Sequence, residues 1–183
     1  MARRCAFLDR DGVINEEVEY LHDPARLVLL RGVAETIAAL DRAGVPVVVV
    51  TNQSGIGRGM YAETDLAAVS ARLVELLGAS GAELAGSYFC PHLPDAACRC
   101  RKPLPGMLED AARDLGLDLA RSVIVGDKAT DLAAGRAVGC ATVLVRTGYG
   151  AEEEAAARAA GLVDQAFDSL ADAQPWLLAH LAD

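Results

Sequence analysis

Four short apolar runs constrain this chain more than any other feature: Cys5 to Leu8, Val45 to Val50, Ser122 to Val125 and Ala141 to Val145. Each is β-branched or strongly apolar and lacks polar alternation, as expected of strands covered on both faces. Helical patterns fall between and after them. Gly32 to Ala43 is one, with Gly44 as its stop signal. Thr64 to Leu77 carries an apolar stripe of Leu66, Val69, Leu73, Leu76 and Leu77. Met107 to Leu115 follows the turn-forming Pro103 and Pro105, and Asp131 to Val138 is short. The tail supplies Glu152 to Ala160 and Leu170 to Ala182, with one further strand near Val163 to Phe167. Strands alternating with helices predict an α/β three-layer sandwich around a mostly parallel, Rossmann-like sheet with right-handed crossovers. The 183 residues suit a single domain over 1–183, with no internal repeat or linker.

In such a sheet, ligands bind beyond the carboxyl ends of the strands. Three apolar runs end there on polar residues: Asp9-Arg10-Asp11-Gly12, Thr51-Asn52-Gln53-Ser54 and Gly126-Asp127-Lys128. Three such clusters predict one convergent site. Asp9 and Asp11 are two residues apart, so in an extended stretch both carboxylates face one centre. Neighbouring carboxylates raise one another's proton affinity, which suits one as a nucleophile and the other as an acid. A hard cation such as Mg²⁺ prefers oxygen ligands and bridges carboxylates to phosphate. A lone acidic pair is ordinarily just a solvated or ion-paired loop, and only its company at the other strand ends singles it out. Gly55, Gly57 and Gly59 do not fit the nucleotide-loop spacings. They predict a flexible loop beside the site, with Arg58 either touching substrate or exposed to solvent.

The formal net charge of −9 disfavours a protein built to neutralise nucleic-acid phosphates, while leaving room for a small phosphorylated substrate. No apolar stretch reaches the roughly 20 residues that span a bilayer, and Arg3 and Arg4 precede too short a run for a signal peptide. The expectation is a cytoplasmic monomer without membrane or nucleic-acid partners. In that compartment clustered cysteines read as metal ligands. Cys90, His92, Cys98 and Cys100 offer three thiolates and one imidazole within 90–100, the donor set of a closed, structural zinc site. Arg101 and Lys102 follow directly, so the metal would aim them at the site. Cys5 and Cys140 lie in apolar surroundings as buried strand residues, and His22 and His180 have no metal-ligating company.

The segments LDRDGVIN, VTNQSGIGRG, CRCRKP and VGDKATDLAAG, in this order from Leu8 to Gly135, resemble the motifs of the haloacid dehalogenase superfamily. An aspartate two residues after the nucleophile is its phosphohydrolase pattern. The resemblance implies that Asp9 attacks phosphorus to form an aspartyl-phosphate and that Asp11 acts as acid, then base. It further implies that Thr51 and Asn52 donate to phosphoryl oxygens, with Gln53 and Ser54 beside them, and that Lys102 supplies positive charge. Mg²⁺ would sit among Asp9, Asp127 and the backbone carbonyl of Asp11. Lys128 would add a cation toward substrate. Asp131 would lie behind these groups or serve its own helix N-terminus, two equally good readings. The insertions between motifs are too short for a cap domain.

Two zinc-containing subfamilies are similar to the chain. Heptose bisphosphate 7-phosphatases match at LDRDGVIN, TNQSGIGRG, RKPLPGM and LVRTGYG. In their substrate loop, over Glu17 to Tyr20, only Tyr20 corresponds. Histidinol-phosphate phosphatases match the short zinc loop CPHLPDAACRCRKP, but they usually carry an aspartate where Ser54 stands here. The number of matching segments favours removal of the C7 phosphate of D-glycero-D-manno-heptose 1,7-bisphosphate, with Arg101 reaching the sugar or second phosphate. Histidinol phosphate is the alternative. A polynucleotide phosphatase would need a basic groove. A non-enzymatic zinc-stabilised binding module would leave Asp9, Asp11, Thr51, Lys102 and Asp127 unexplained.

Overall fold

The computed structural model describes residues 2–182. Six parallel strands form one sheet: β1 (Ala6–Leu8), β2 (Val47–Asn52), β3 (Gly86–Cys90), β4 (Val123–Gly126), β5 (Ala141–Val145) and β6 (Gln165–Phe167), in the spatial order β3-β2-β1-β4-β5-β6. The helices are α1 (Val33–Arg42), α2 (Ser54–Gly57), α3 (Glu63–Gly78), α4 (Gly106–Leu115), α5 (Ala129–Ala137), α6 (Gly150–Ala159) and α7 (Leu170–His180). No helix among the described residues is long and apolar enough to cross a membrane.

Strand side chains alternate between two buried faces, which explains why both parities of the apolar runs are hydrophobic. Ala6, Leu8, Val47, Val49, Val123 and Val125 pack with Ile37 of α1, Val69 and Leu73 of α3, and Leu170 and Leu177 of α7. Phe7, Val48, Val50 and Ile124 face the other way, onto Met107, Leu108 and Ala111 of α4. Leu132 of α5 and Ala157 of α6 close over Leu144. The three-layer arrangement is therefore as expected. Phe7, Leu8 and Ile124 are wholly buried, each side chain stabilising the fold by about 1.5–3 kcal/mol.

Two elements depart from the sequence expectation. Strand β3 was not among the predicted strands, because it lies at the sheet edge and buries alternate residues of a Gly-Ser-Tyr-Phe-Cys stretch. No continuous apolar run marks such a strand. The glycine-containing segment after β2 is one helical turn, Ser54–Gly57, in place of the predicted flexible loop. Gly57 there packs on the backbone after β3, its N–H donating to Pro91 O at 2.9 Å. The helix stop at Gly44 behaves as predicted: α1 ends and Gly44 adopts φ +74°.

The register positions the site. Leu8 lies between Val49 of β2 and Val125 of β4, and the Asp9 N–H donates to Val125 O at 3.0 Å. From β1 the chain first builds outward through β2 and β3, then returns to lay β4 on β1's other side. The switch point lies between β1 and β4, where Asp9 and Asp127 emerge side by side.

Candidate active site

Asp9 leaves β1 into a cleft of ≈ 720 Å³ that Thr51, Gln53, Lys102, Lys128 and Asp131 also line. Lys102, two residues beyond Cys100, is almost fully buried. Its Nζ contacts Asp9 Oδ1 at 2.8 Å, Asp131 Oδ1 at 2.6 Å and Val50 O at 2.7 Å. Burial works against the ammonium's charge, but Asp131 and Asp9 outweigh it and raise its pKa. Asp9 is pushed up to about 6 by burial and by Asp131, with Lys102 pulling the other way.

Asp127 is wholly buried. Burial, then the charges of Asp9 and Asp131, push its carboxyl up to about 8. Its Oδ2 accepts the Tyr149 N–H at 2.9 Å, whereas Oδ1 is buried without a hydrogen-bond partner. Gly12 at φ +83° and Gly148 at φ +58° flank this carboxylate so closely that a Cβ on either would strike Asp127 Oδ2. One oxygen from each of Asp9, Asp127 and Asp131 lies within 4.8 Å of the others. Three converging carboxylates with an orphaned oxygen, repelling one another, are the donor set that a hard divalent cation satisfies. Asp131 also accepts the Lys128 N–H at 3.0 Å with Oδ2, so it serves its helix start and Lys102 together.

Asp11 is held by three residues. Arg10 grips it bidentately, with Nη2 2.8 Å from Oδ2 and Nε 3.1 Å from Oδ1, and Asn15 Nδ2 reaches Oδ1 at 2.9 Å. From the end of β2, Gln53 Nε2 donates to Asp11 Oδ2 at 3.1 Å and to Thr51 Oγ1 at 2.8 Å. Asn52 uses both ends of its side-chain amide on the Lys102 backbone, at 3.1 Å each. Its side chain thus anchors the strand of chain that carries Lys102, and a second Nδ2 proton is left over for the expected donation to phosphate. The Lys102–Pro103 peptide is cis.

At the mouth, Lys128 pairs with Glu17 at 3.3 Å and lies 4.3 Å from the Tyr149 ring centroid. Tyr20, at φ +53°, Ser54 and Arg101 also line the cleft. Arg58 does not; it is exposed beyond α2. Arg10, Asn15, Tyr61 and Tyr149 were not singled out from the sequence. Only Arg10 carried a signal, an arginine between the two aspartates.

Cys90, His92, Cys98 and Cys100 come together as spacing predicted. Cys90 Sγ is 3.0 Å from Cys100 Sγ, 3.8 Å from Cys98 Sγ and 3.5 Å from His92 Nδ1, and no disulfide forms. These four ligand atoms lie within 4.8 Å of one another, a spacing that fits one tetrahedral metal. Cys90 ends β3, so the unpredicted strand positions the first ligand.

Residues 99–173 match a family model described as HAD-hydrolase-like. With the parallel sheet and the carboxylate–lysine cleft, this defines the chain as a hydrolase of the haloacid dehalogenase-like class. The chain is 41% identical to D-glycero-beta-D-manno-heptose-1,7-bisphosphate 7-phosphatase of Vibrio cholerae, over 97% of this chain and 98% of the relative. It is 44% identical to D-glycero-D-manno-heptose-1,7-bisphosphate 7-phosphatase of Thermosynechococcus vestitus, over 100% and 99%. The structure of D,D-heptose 1,7-bisphosphate phosphatase from B. bronchiseptica, complexed with magnesium and phosphate, superposes with a TM-score of 0.89 at 38% identity, covering 96% of this chain and 98% of that one. The chain belongs to this heptose bisphosphate phosphatase family.

Proposed function

We propose that the chain removes the C7 phosphate of D-glycero-D-manno-heptose 1,7-bisphosphate through an aspartyl-phosphate on Asp9. The observation that carries the chemistry is the buried Lys102 bridging Asp9 and Asp131 beside the orphaned oxygen of Asp127. The whole-length similarity to heptose bisphosphate phosphatases supports the substrate over histidinol phosphate.

An Asp9 carboxylate oxygen attacks phosphorus, and the bond to the sugar C7 oxygen breaks. Asp11, on its carboxyl form, delivers a proton to the departing alkoxide. The resulting Asp11 carboxylate then takes a proton from water, whose oxygen attacks phosphorus and displaces Asp9, releasing inorganic phosphate. Thr51 and Lys102 face the phosphoryl oxygens and oppose the charge that builds on them. Magnesium, held by Asp9, Asp127 and the Asp11 carbonyl with Asp131 alongside, would neutralise phosphoryl charge. Lys128, Tyr20, Ser54 and Arg101 form the rim that meets the sugar and its second phosphate. A single domain without a cap leaves this rim open to a small substrate. Zinc on Cys90, His92, Cys98 and Cys100 would be structural, holding the turn that delivers Arg101 and Lys102.

The test is a side-by-side kcat/KM measurement on both heptose bisphosphate anomers and on histidinol phosphate, with and without Mg²⁺. A preference of about 100-fold or more for a heptose bisphosphate, worth about 2.7 kcal/mol in transition-state binding, is expected. Preference for histidinol phosphate would overturn the substrate. Magnesium-dependent turnover surviving Asp9→Asn would overturn the chemistry.

A further inference from the structure

The Gln53 side chain bridges two of the groups assigned above. Its Nε2 sits 3.1 Å from Asp11 Oδ2 and 2.8 Å from Thr51 Oγ1, and its Oε1 accepts the Tyr61 hydroxyl at 2.6 Å. We propose that Tyr61, through Gln53, is a positioning residue that aims the Asp11 carboxyl at the leaving-group oxygen. This rests on the reading of Asp11 as acid and base.

An amide can present either end. With Oε1 turned toward the ionised Asp11 carboxylate, two oxygens would face each other without a proton between them. The Tyr61 hydroxyl prevents this by donating to Oε1, which leaves Nε2 facing Asp11 and Thr51. Burial and the neighbouring Asp11 raise the phenol's pKa, with Arg10 opposing, so it stays a donor. The ring itself is fixed. It is buried, packs so tightly on Gly55 that a Cβ there would strike it, and stacks on His22 with centroids 5.7 Å apart. Arg10 and Asn15 also hold Asp11, but they belong to its own loop. Gln53 alone among these three comes from the end of a different strand. It thereby ties the proton-transfer group to the hydroxyl expected to bind phosphate.

A group that aims a general acid matters only where the leaving group needs a proton. An alkoxide from a sugar needs one; a dinitrophenolate leaves without help. Tyr61→Phe deletes only the hydroxyl, so it should lower kcat/KM about 10- to 100-fold for the heptose bisphosphate, within the range of general acid catalysis. For dinitrophenyl phosphate the change should stay within about threefold, and the inhibition constant of inorganic phosphate should not move. A plot of log kcat/KM against leaving-group pKa should steepen toward the slope of Asp11→Asn. Gln53→Met, similar in length and without the amide, should steepen it further and provides a second variant if Tyr61→Phe fails to fold. Equal losses across all leaving groups or no loss in these variants, or weakened phosphate inhibition in Tyr61→Phe, would overturn the proposal. An Asp11→Asn variant whose leaving-group slope matches that of the unsubstituted enzyme would instead sink the reading of Asp11 as acid and base, a distinguishable result.

Discussion

Lys102 reaches the nucleophile candidate Asp9 across 93 positions of sequence, with its ammonium 2.8 Å from Oδ1 and both side chains buried. The same ammonium lies 2.6 Å from Asp131, so one cation holds two carboxylates that would otherwise repel. Asn52 pins the Lys102 backbone, and the Cys3His loop leads into it, so several elements together determine where this charge sits. Three consequences can be measured.

Replacing this cation should cost both activity and stability. Lys102→Met removes a charge directed at the phosphoryl oxygens, and kcat should fall about 100- to 1,000-fold. It also leaves Asp9 and Asp131 buried without a counter-charge, which should destabilise the metal-free protein by about 3–5 kcal/mol in denaturant titrations at neutral pH. An unchanged denaturation midpoint would show that the bridge contributes nothing net.

The acidic cluster should make the metal-free protein less stable as pH rises. Asp9 and Asp127 are raised to about 6 and about 8, so the folded state holds more protons than the unfolded state from the ordinary carboxylate value up to those limits. Their contribution to stability is fully present below about pH 4 and is lost as pH climbs through about 6 and then about 8. Added Mg²⁺ should reverse the loss, and its affinity should increase with pH over this window as protons are displaced. Denaturation curves across pH, with magnesium withheld or supplied, check the sign. Asp127→Asn should flatten the metal-free slope.

The Cys3His loop should carry about one zinc per chain by elemental analysis. Cys98→Ser removes one thiolate, so bound zinc should drop well below stoichiometric and the melting temperature should fall. For a chain of this size each kcal/mol lost is about 2–4 °C. Activity should fall as well, because the loop sets the approach of Lys102. A variant that keeps full activity and melting temperature without zinc would show that the loop holds its shape unaided.

Much of this protein could be read directly along the chain. Apolar runs of the right length announced β1, β2, β4 and β5, because strands buried on two faces cannot be polar. Their polar termini announced the catalytic edge, since a parallel sheet exposes its strand ends together. Cys90, His92, Cys98 and Cys100 were legible because a short loop brings nearby ligands together with little help from the rest of the fold. The edge strand β3 was not legible: its period-two burial over a glycine, a serine and two aromatics resembles loop sequence.

Other features were decided only by tertiary structure, because side-chain partners from distant strands meet only after the sheet forms. The sequence by itself determined the layered α/β fold and the residue types of its phosphoryl-transfer chemistry. It left open whether Asp131 serves its helix or the site, and the structure has it do both. It gave no sign that the Asn52 amide also pins the Lys102 backbone. It held no trace of the path from Tyr61 through Gln53 to Asp11. Local pattern encodes burial and chain direction, whereas the choice among possible hydrogen-bond partners is a property of three-dimensional proximity.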